Sequence, residues 1–165
     1  MVKKPLLVVL VLAVAFVVVL AVKHFWRPND LKSRLAAVAA AVSKAPGEGN
    51  SVMIVKMQRF QSLLADPVEL KTGRHGLGAT YSPEELASTA VRIRAGVGQM
   101  DFTFKDVTVV RDDGQTAELS CTMRVTGTNQ GGERWEETAE LTVKAKRVEG
   151  AWRFTEFADV GVLKQ

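Results

Sequence analysis

The chain has 165 residues, room for one ordinary domain and a short appendage. Of its 22 Lys and Arg residues, Lys3, Lys4, Lys23 and Arg27 stand in the first 28 positions, leaving 18 basic against 18 acidic side chains in the rest. The folded part therefore has no net positive charge to offer a phosphate backbone, which argues against nucleic acid as a partner. A single Cys excludes an internal disulfide and a multi-cysteine zinc site, and two His residues leave no basis for a histidine-rich metal site or a metal cofactor.

Pro5 to Val22 carries no charged or polar side chain. At about 1.5 Å per residue such a run approaches the ~30 Å hydrocarbon core of a bilayer, and Phe25 and Trp26 follow where interfacial aromatics belong. A cleavable signal peptide would have a shorter apolar run ending in a small-x-small site, and Leu20–Trp26 offers none. The expectation is an uncleaved anchor over residues 1–28 and a domain over 29–165, with membrane lipid contacted through residues 5–22. Basic residues flank the run on both sides, so charge does not orient it. The short N-terminal tail favours a single-pass signal anchor with the domain outside. For a Gram-negative source that means the inner membrane, with the domain in the periplasm.

Beyond Pro28, Asn29 or Asp30 caps a first helix whose stripe is Leu31, Leu35, Val38 and Val42. A second helix starts near Ser51, with Met53, Met57, Phe60 and Leu64 on one face, and Asp66-Pro67 ends it. Val68, Leu70 and Thr72 alternate as a short strand. Ser82-Pro83-Glu84-Glu85 combines a capping box with proline at the first helical position. It opens a third helix striped by Leu86, Ala90, Ile93 and Val97 and closed by Gly96 and Gly98.

From residue 101 the period becomes two. A loop over Thr128–Gly132 sets Cys121 against Ala139 and Leu119 against Leu141, so that apolar faces coincide. The Glu149-Gly150 turn sets Trp152 against Arg147 and Phe154 against Ala145. A turn at Asp112-Asp113-Gly114, with glycine left-handed, sets Val107 against Leu119 and Val109 against Ala117. A bulge near Lys105-Asp106 then returns Phe102 and Phe104 to the apolar face. The fold class is α+β: three one-sided helices covering a bent, mostly antiparallel sheet.

Over roughly residues 30–163 the chain resembles the NTF2-like superfamily, the cone-shaped fold also called SnoaL-like or cystatin-like. The carriers are Phe60-Gln61-Ser62-Leu63-Leu64-Ala65-Asp66-Pro67, Tyr81-Ser82-Pro83-Glu84-Glu85-Leu86, and the ending Glu149-Gly150-Ala151-Trp152-Arg153-Phe154-Thr155-Glu156-Phe157. The resemblance implies a cone that can hold a ligand. It implies a role that varies across the superfamily among dehydratases, isomerases, transport adaptors and non-enzymatic membrane-anchored modules. Its sheet often buries its convex face in homodimers, although the polar face Glu118, Ser120, Thr122, Arg124 and Thr126 suits a hydrophobic dimer poorly.

Few residues could carry chemistry. Glu137 and Glu156 fall in phase with the apolar faces, where burial would raise a carboxyl pKa towards acid–base work. Glu137 nevertheless stands near a strand end, and a bulge near Thr155-Glu156 would turn Glu156 outward and Phe157 inward. His75, within Gly73–Gly78, matches no phosphate-loop spacing and reads as a surface loop. Tyr81 is a staple residue or a pocket donor. Cys121 reads as a small buried side chain. The pocket assembled from these considerations is Tyr81, Met123, Trp135, Glu137, Phe154 and Glu156, with no catalytic residue, metal ligand or cofactor. Lys23, Arg27, Lys32, Arg34, Lys44, Lys56 and Arg59 face only Asp30 and Glu48, either as a basic collar for anionic lipid or as solvated helix faces. The expected function is a non-enzymatic, membrane-anchored module that binds a protein partner or a hydrophobic small ligand. The alternatives are a subunit of a larger envelope assembly and a membrane-tethered lyase or isomerase.

Overall fold

The computed structural model describes residues 27–72 and 77–160. The expected span, His24 and His75 lie outside the described residues, among which no helix is long and apolar enough to cross a membrane. Helix α1 runs Arg27–Val42, α2 Asn50–Leu63 and α3 Pro83–Ala95. Strand β1 runs Leu64–Thr72, β2 Leu77–Tyr81, β3 Val97–Asp112, β4 Thr116–Asn129, β5 Arg134–Val148 and β6 Ala151–Asp159. One sheet holds all six strands in the order β2-β1-β6-β5-β4-β3.

Helix α1 starts ahead of the expected cap, with Pro28 inside its first turn, where a missing N–H costs little. Leu31, Leu35 and Val38 are buried as their spacing requires, together with Ala39 and Ala41. Helix α2 buries Met57, Phe60 and Leu63 and stops at Leu63. Asp66-Pro67, expected to end the helix, lies inside β1 with a cis peptide bond. Strand β1 is accordingly longer than the alternation at Val68–Thr72 suggested. It pairs with β2 antiparallel and with β6 in parallel, and β2 was not expected.

The capping box of α3 is complete. The Ser82 hydroxyl accepts from the Glu85 amide at 3.2 Å, and the Glu85 carboxylate accepts from the Ser82 amide at 2.8 Å. The stripe is rotated from its expected position. Ala87, Ala90 and Arg94 are buried, Leu86 only partly, and Ile93 is 53% exposed. The small alanines face inward, and Arg94 turns in because its hydrogen-bond partners lie there.

The four long strands form the expected meander, with two registers displaced. In β4–β5, Leu119 opposes Val143 and Cys121 opposes Leu141. The loop is Gln130–Gly132 instead of Thr128–Gly132. The Asn129 amide donates to the Glu133 carbonyl at 3.0 Å, and the Asn129 side chain both accepts from and donates to Glu133. Gly132 takes φ +84°. The displacement is two residues, so the apolar phase survives.

In β3–β4, Val109 opposes Leu119, because the turn closes on Asp113 and Thr116 and bulges follow. Gly114 is left-handed as expected, at φ +86°. The expected bulge falls between Lys105 and Thr108, with Asp106 at φ +53°, and sets Phe102 opposite Val125 and Phe104 opposite Met123. In β5–β6, Arg147 opposes Trp152 and Ala145 opposes Phe154, as expected.

The helices cover one face of the sheet. Leu31, Leu35, Leu64, Val68, Leu119, Cys121, Val143, Trp152 and Phe154 are almost wholly sequestered between the layers. The other face is a ladder of Thr, Ser, Lys, Arg and Glu.

Candidate binding cleft

The six residues expected to share a pocket do not converge on one. Phe154 has no exposed surface and fills the core, opposite Ala145 and Leu64. Met123 is half-buried against the core, between Phe104 and Ala139. Tyr81 is half-buried at the end of β2, beside the Ser82 cap. Glu137 shares a face with Trp135 but is exposed, opposite Val125.

Glu156 leaves the expected pocket by way of the bulge expected near Thr155-Glu156, which turns it outward and Phe157 inward. A register shift between Lys144 and Ala145 pairs Phe157 with Val143 and Glu156 with Lys144. Glu156 therefore lies on the polar face, and Phe157 packs on the core. Its carboxylate accepts from Lys71 at 2.8 Å and pairs with Lys144 at 3.0 Å, and Lys71 also reaches Glu69 at 3.1 Å. Partial burial pushes the Glu156 carboxyl up. The hydrogen bonds and charges of the two lysines outweigh that and hold it below the usual glutamate range. A carboxylate held ionised in this way is poorly suited to act as a general acid.

Three residues of the expected basic collar, Arg34, Lys44 and Lys56, are engaged inside the fold, beside the buried Arg94 from α3. Arg94, 2% exposed, donates to the carbonyls of Ala41 at 3.3 Å, Val42 at 2.7 Å and Ser43 at 2.6 Å, and pairs with Glu48. It thus satisfies the free carbonyls at the end of α1, where a cation also complements the helix dipole. Lys56 pairs with Glu48 at 2.6 Å and donates to the Ser43 carbonyl at 2.9 Å. Lys44 donates to the carbonyls of Arg94 at 2.8 Å and Val97 at 2.6 Å. Arg34 donates to the Trp152 carbonyl at 3.0 Å and lies 3.5 Å from Asp30. Lys32 and Arg59 stay exposed.

Burial raises the Glu48 carboxyl. The hydrogen bonds from Lys56 and the Ala45 amide, with the charges of Arg94 and Lys56, bring it below its ordinary value. Sequence reasoning missed this cluster, because an arginine beside Ile93 on an amphipathic helix looks solvated. The one available signal was Arg94 standing in line with Ala87 and Ala90.

An open cleft of about 510 Å³ lies where β3, β4 and β5 meet at the Gln130–Gly132 end of the sheet. Gln99, Thr126, Gly127, Thr128, Arg134, Trp135 and Glu136 line it. Gly127 opposes Trp135, and a Cβ there would lie 2.6 Å from the indole Cζ2 and 2.8 Å from the Gln99 carbonyl oxygen. The indole thus rests on bare backbone, and glycine is required for that contact. Arg124 donates to both Glu136 oxygens, at 2.7 and 2.9 Å, and this fork holds the Glu136 carboxyl below its usual range. Cys121 is buried, which pushes its thiol up to about 11. Among the described residues no His, Cys, Asp and Glu cluster could hold a metal ion.

Helices cupped on a bent six-stranded sheet define the NTF2-like, or SnoaL-like, cone. Solved structures share it at low identity. A hexachlorocyclohexane dehydrochlorinase, LinA-type3 from Novosphingobium barchaimii, matches with a TM-score of 0.64 and 12% identity over 84% of this chain and 88% of its own. A candidate scytalone dehydratase from Novosphingobium aromaticivorans matches at 0.62 and 10% over 82% and 83%. A candidate aromatic ring hydroxylase from the same species matches at 0.63 and 13% over 78% and 84%. No family model and no curated protein matches the sequence. These likenesses show the fold, and they correct the expectation of a non-enzymatic domain, since the fold is one with catalytic members.

Proposed function

We propose that the chain is a membrane-tethered NTF2-like domain that binds a small ligand or a protein partner, held at a bacterial inner membrane with the domain on the periplasmic side. The observation that carries this reading is the closeness of tether and domain. Helix α1 begins at Arg27, and only Lys23–Trp26 separate it from the apolar run that ends at Val22. Such a linker spans at most roughly 14 Å, so the start of α1 would sit at the bilayer surface. Binding on the outside of the cone is supported by its interior, where Trp152, Phe154, Leu31 and Leu35 occupy the space between the layers.

Membrane fractionation with carbonate extraction tests the tether, and intact mass tests the missing cleavage. The native protein should stay with the membranes at full mass. Release by carbonate, or loss of some two dozen N-terminal residues, refutes it. The cone fold shared with a dehydrochlorinase favours a second reading, a tethered lyase or isomerase. Glu137, exposed two positions from Trp135 on the same face, is the titrating group it would use. Turnover of a halogenated or hydroxylated cyclic substrate that is lost in Glu137→Gln would establish that reading over simple binding.

A further inference from the structure

We propose that the start of α2 docks on the bilayer surface, with Val52, Ile54 and Val55 among the headgroups and Arg59 on the phosphates of anionic phospholipid. This deepens the reading above and rests on its tether. Val52, Ile54, Val55 and Ile93 are 48–64% exposed, four of the six large apolar side chains left so open among the described residues. They gather at one end of the helix layer. Arg94, next to Ile93, pairs with Glu48 just ahead of α2, and Lys44 donates to the Arg94 carbonyl, so α3 ends where α2 begins. β-branched side chains are indifferent helix formers, and those at the start of α2 are little buried, so the chain's own fold gains little from them.

The charges around them are of one sign. Helix α2 contains no Asp or Glu. Residues 27–63 hold only Asp30, which lies 3.5 Å from Arg34, and Glu48, whose side chain is 4% exposed. Glu84 and Glu85 stand at the opposite end of α3, a helix about 20 Å long. Lys32, Arg59 and Arg92 are exposed and have no ion pair among the described residues. Aliphatic side chains bordered by cations alone match a helix that enters the headgroup layer of an anionic bilayer. A second copy would set these cations against their own kind. The tether favours the bilayer further. Helix α1 packs beside α2, and its exposed side is Lys32, Ser33, Ala36 and Ala40, low enough to lie flat on a surface. With α1 along the membrane plane, the start of α2 reaches the headgroups as well. Tethering holds it there at high effective concentration, so weak insertion suffices.

The test uses the full chain in phosphatidylglycerol vesicles, with a nitroxide on Gln58→Cys in a Cys121→Ala background. A second label, on Thr138→Cys, is the aqueous reference, exposed on the polar face of the sheet. Collisions with oxygen and with a neutral nickel chelate report depth. The label at position 58 should be shielded from the chelate and the label at 138 open to it. Arg59→Gln should lower the docked-to-free ratio about fivefold, and phosphatidylcholine vesicles should lower it further. Val52→Ser with Val55→Ser should lower it about tenfold or more. All three side chains are exposed, so an unchanged thermal midpoint confirms the fold of each variant. A label at 58 as open as that at 138, which leaves the patch to a protein partner, overturns the proposal. So does shielding that neither variant changes, or dipolar broadening between labels at 58, which puts a second copy there. Fractionation is read separately: a carbonate-resistant protein with an open label at 58 sinks the docking alone, and a shielded label on a protein that carbonate releases sinks the tether alone.

Discussion

Replacing Arg94 with Met keeps the length of the side chain and removes its charge and its hydrogen bonds. The carbonyls of Ala41 and Val42 lose the Arg94 donor, that of Ser43 keeps only Lys56, and Glu48, whose side chain is 4% exposed, loses its buried counter-ion. Breaking a buried pair from one side costs about 3–5 kcal/mol, since the remaining charge stays desolvated. Lys56 still reaches Glu48 at 2.6 Å and is 26% exposed, so it offsets part of that and favours the lower figure. At roughly 3–5 °C per kcal/mol for a domain of this size, the midpoint should fall by about 10–15 °C. Thermal unfolding followed by circular dichroism measures it. The double variant Arg94→Met with Glu48→Met should be less destabilised than Arg94→Met alone, because it leaves no orphaned carboxylate. A loss below about 1 kcal/mol, or a double variant that is the worse of the two, would refute the account of Arg94 as cap and counter-ion.

Glu48 and Glu156 both have folded pKa values below the unfolded 4.5, so their contribution is present above that value and is lost as pH falls through the folded ones. Urea midpoints taken from pH 6 down to pH 3 should decline, and Glu48→Gln should flatten the decline. Cys121, buried with its thiol pKa near 11, should label slowly with a maleimide in the native protein and quickly in urea; fast native labelling contradicts the strand register. Gly127→Ala places a methyl 2.6 Å from the Trp135 indole, and should displace the ring and cost about 1–3 kcal/mol, seen as a changed near-ultraviolet dichroism and a lower midpoint.

Local chemistry was legible in the sequence wherever a signal is short-range. The Ser82–Glu85 box, the left-handed Gly114, the bulge beside Asp106 and the Arg147–Trp152 pairing all follow from neighbouring residues. The period-two alternation determined which residues of β4 face the helices, since a two-residue slip leaves phase unchanged. It did not determine their partners: Leu119 meets Val143 because Asn129, in place of Gly127, closes the hairpin on Glu133, two residues nearer the tip on the β4 side. Tertiary structure alone decided the parallel pairing of β1 with β6, which joins segments far apart in the chain. It also decided the fate of Arg94, which is buried because the carbonyls ending α1 and the Glu48 carboxylate arrive from elsewhere to meet it. The outward turn of Glu156 was open in the sequence as a bulge near Thr155-Glu156, and the fold realises it by bringing Lys71 and Lys144 to the carboxylate. A side chain's own character sets the cost of burying it, but its partners set whether that cost is met, and those partners are brought together only by the fold.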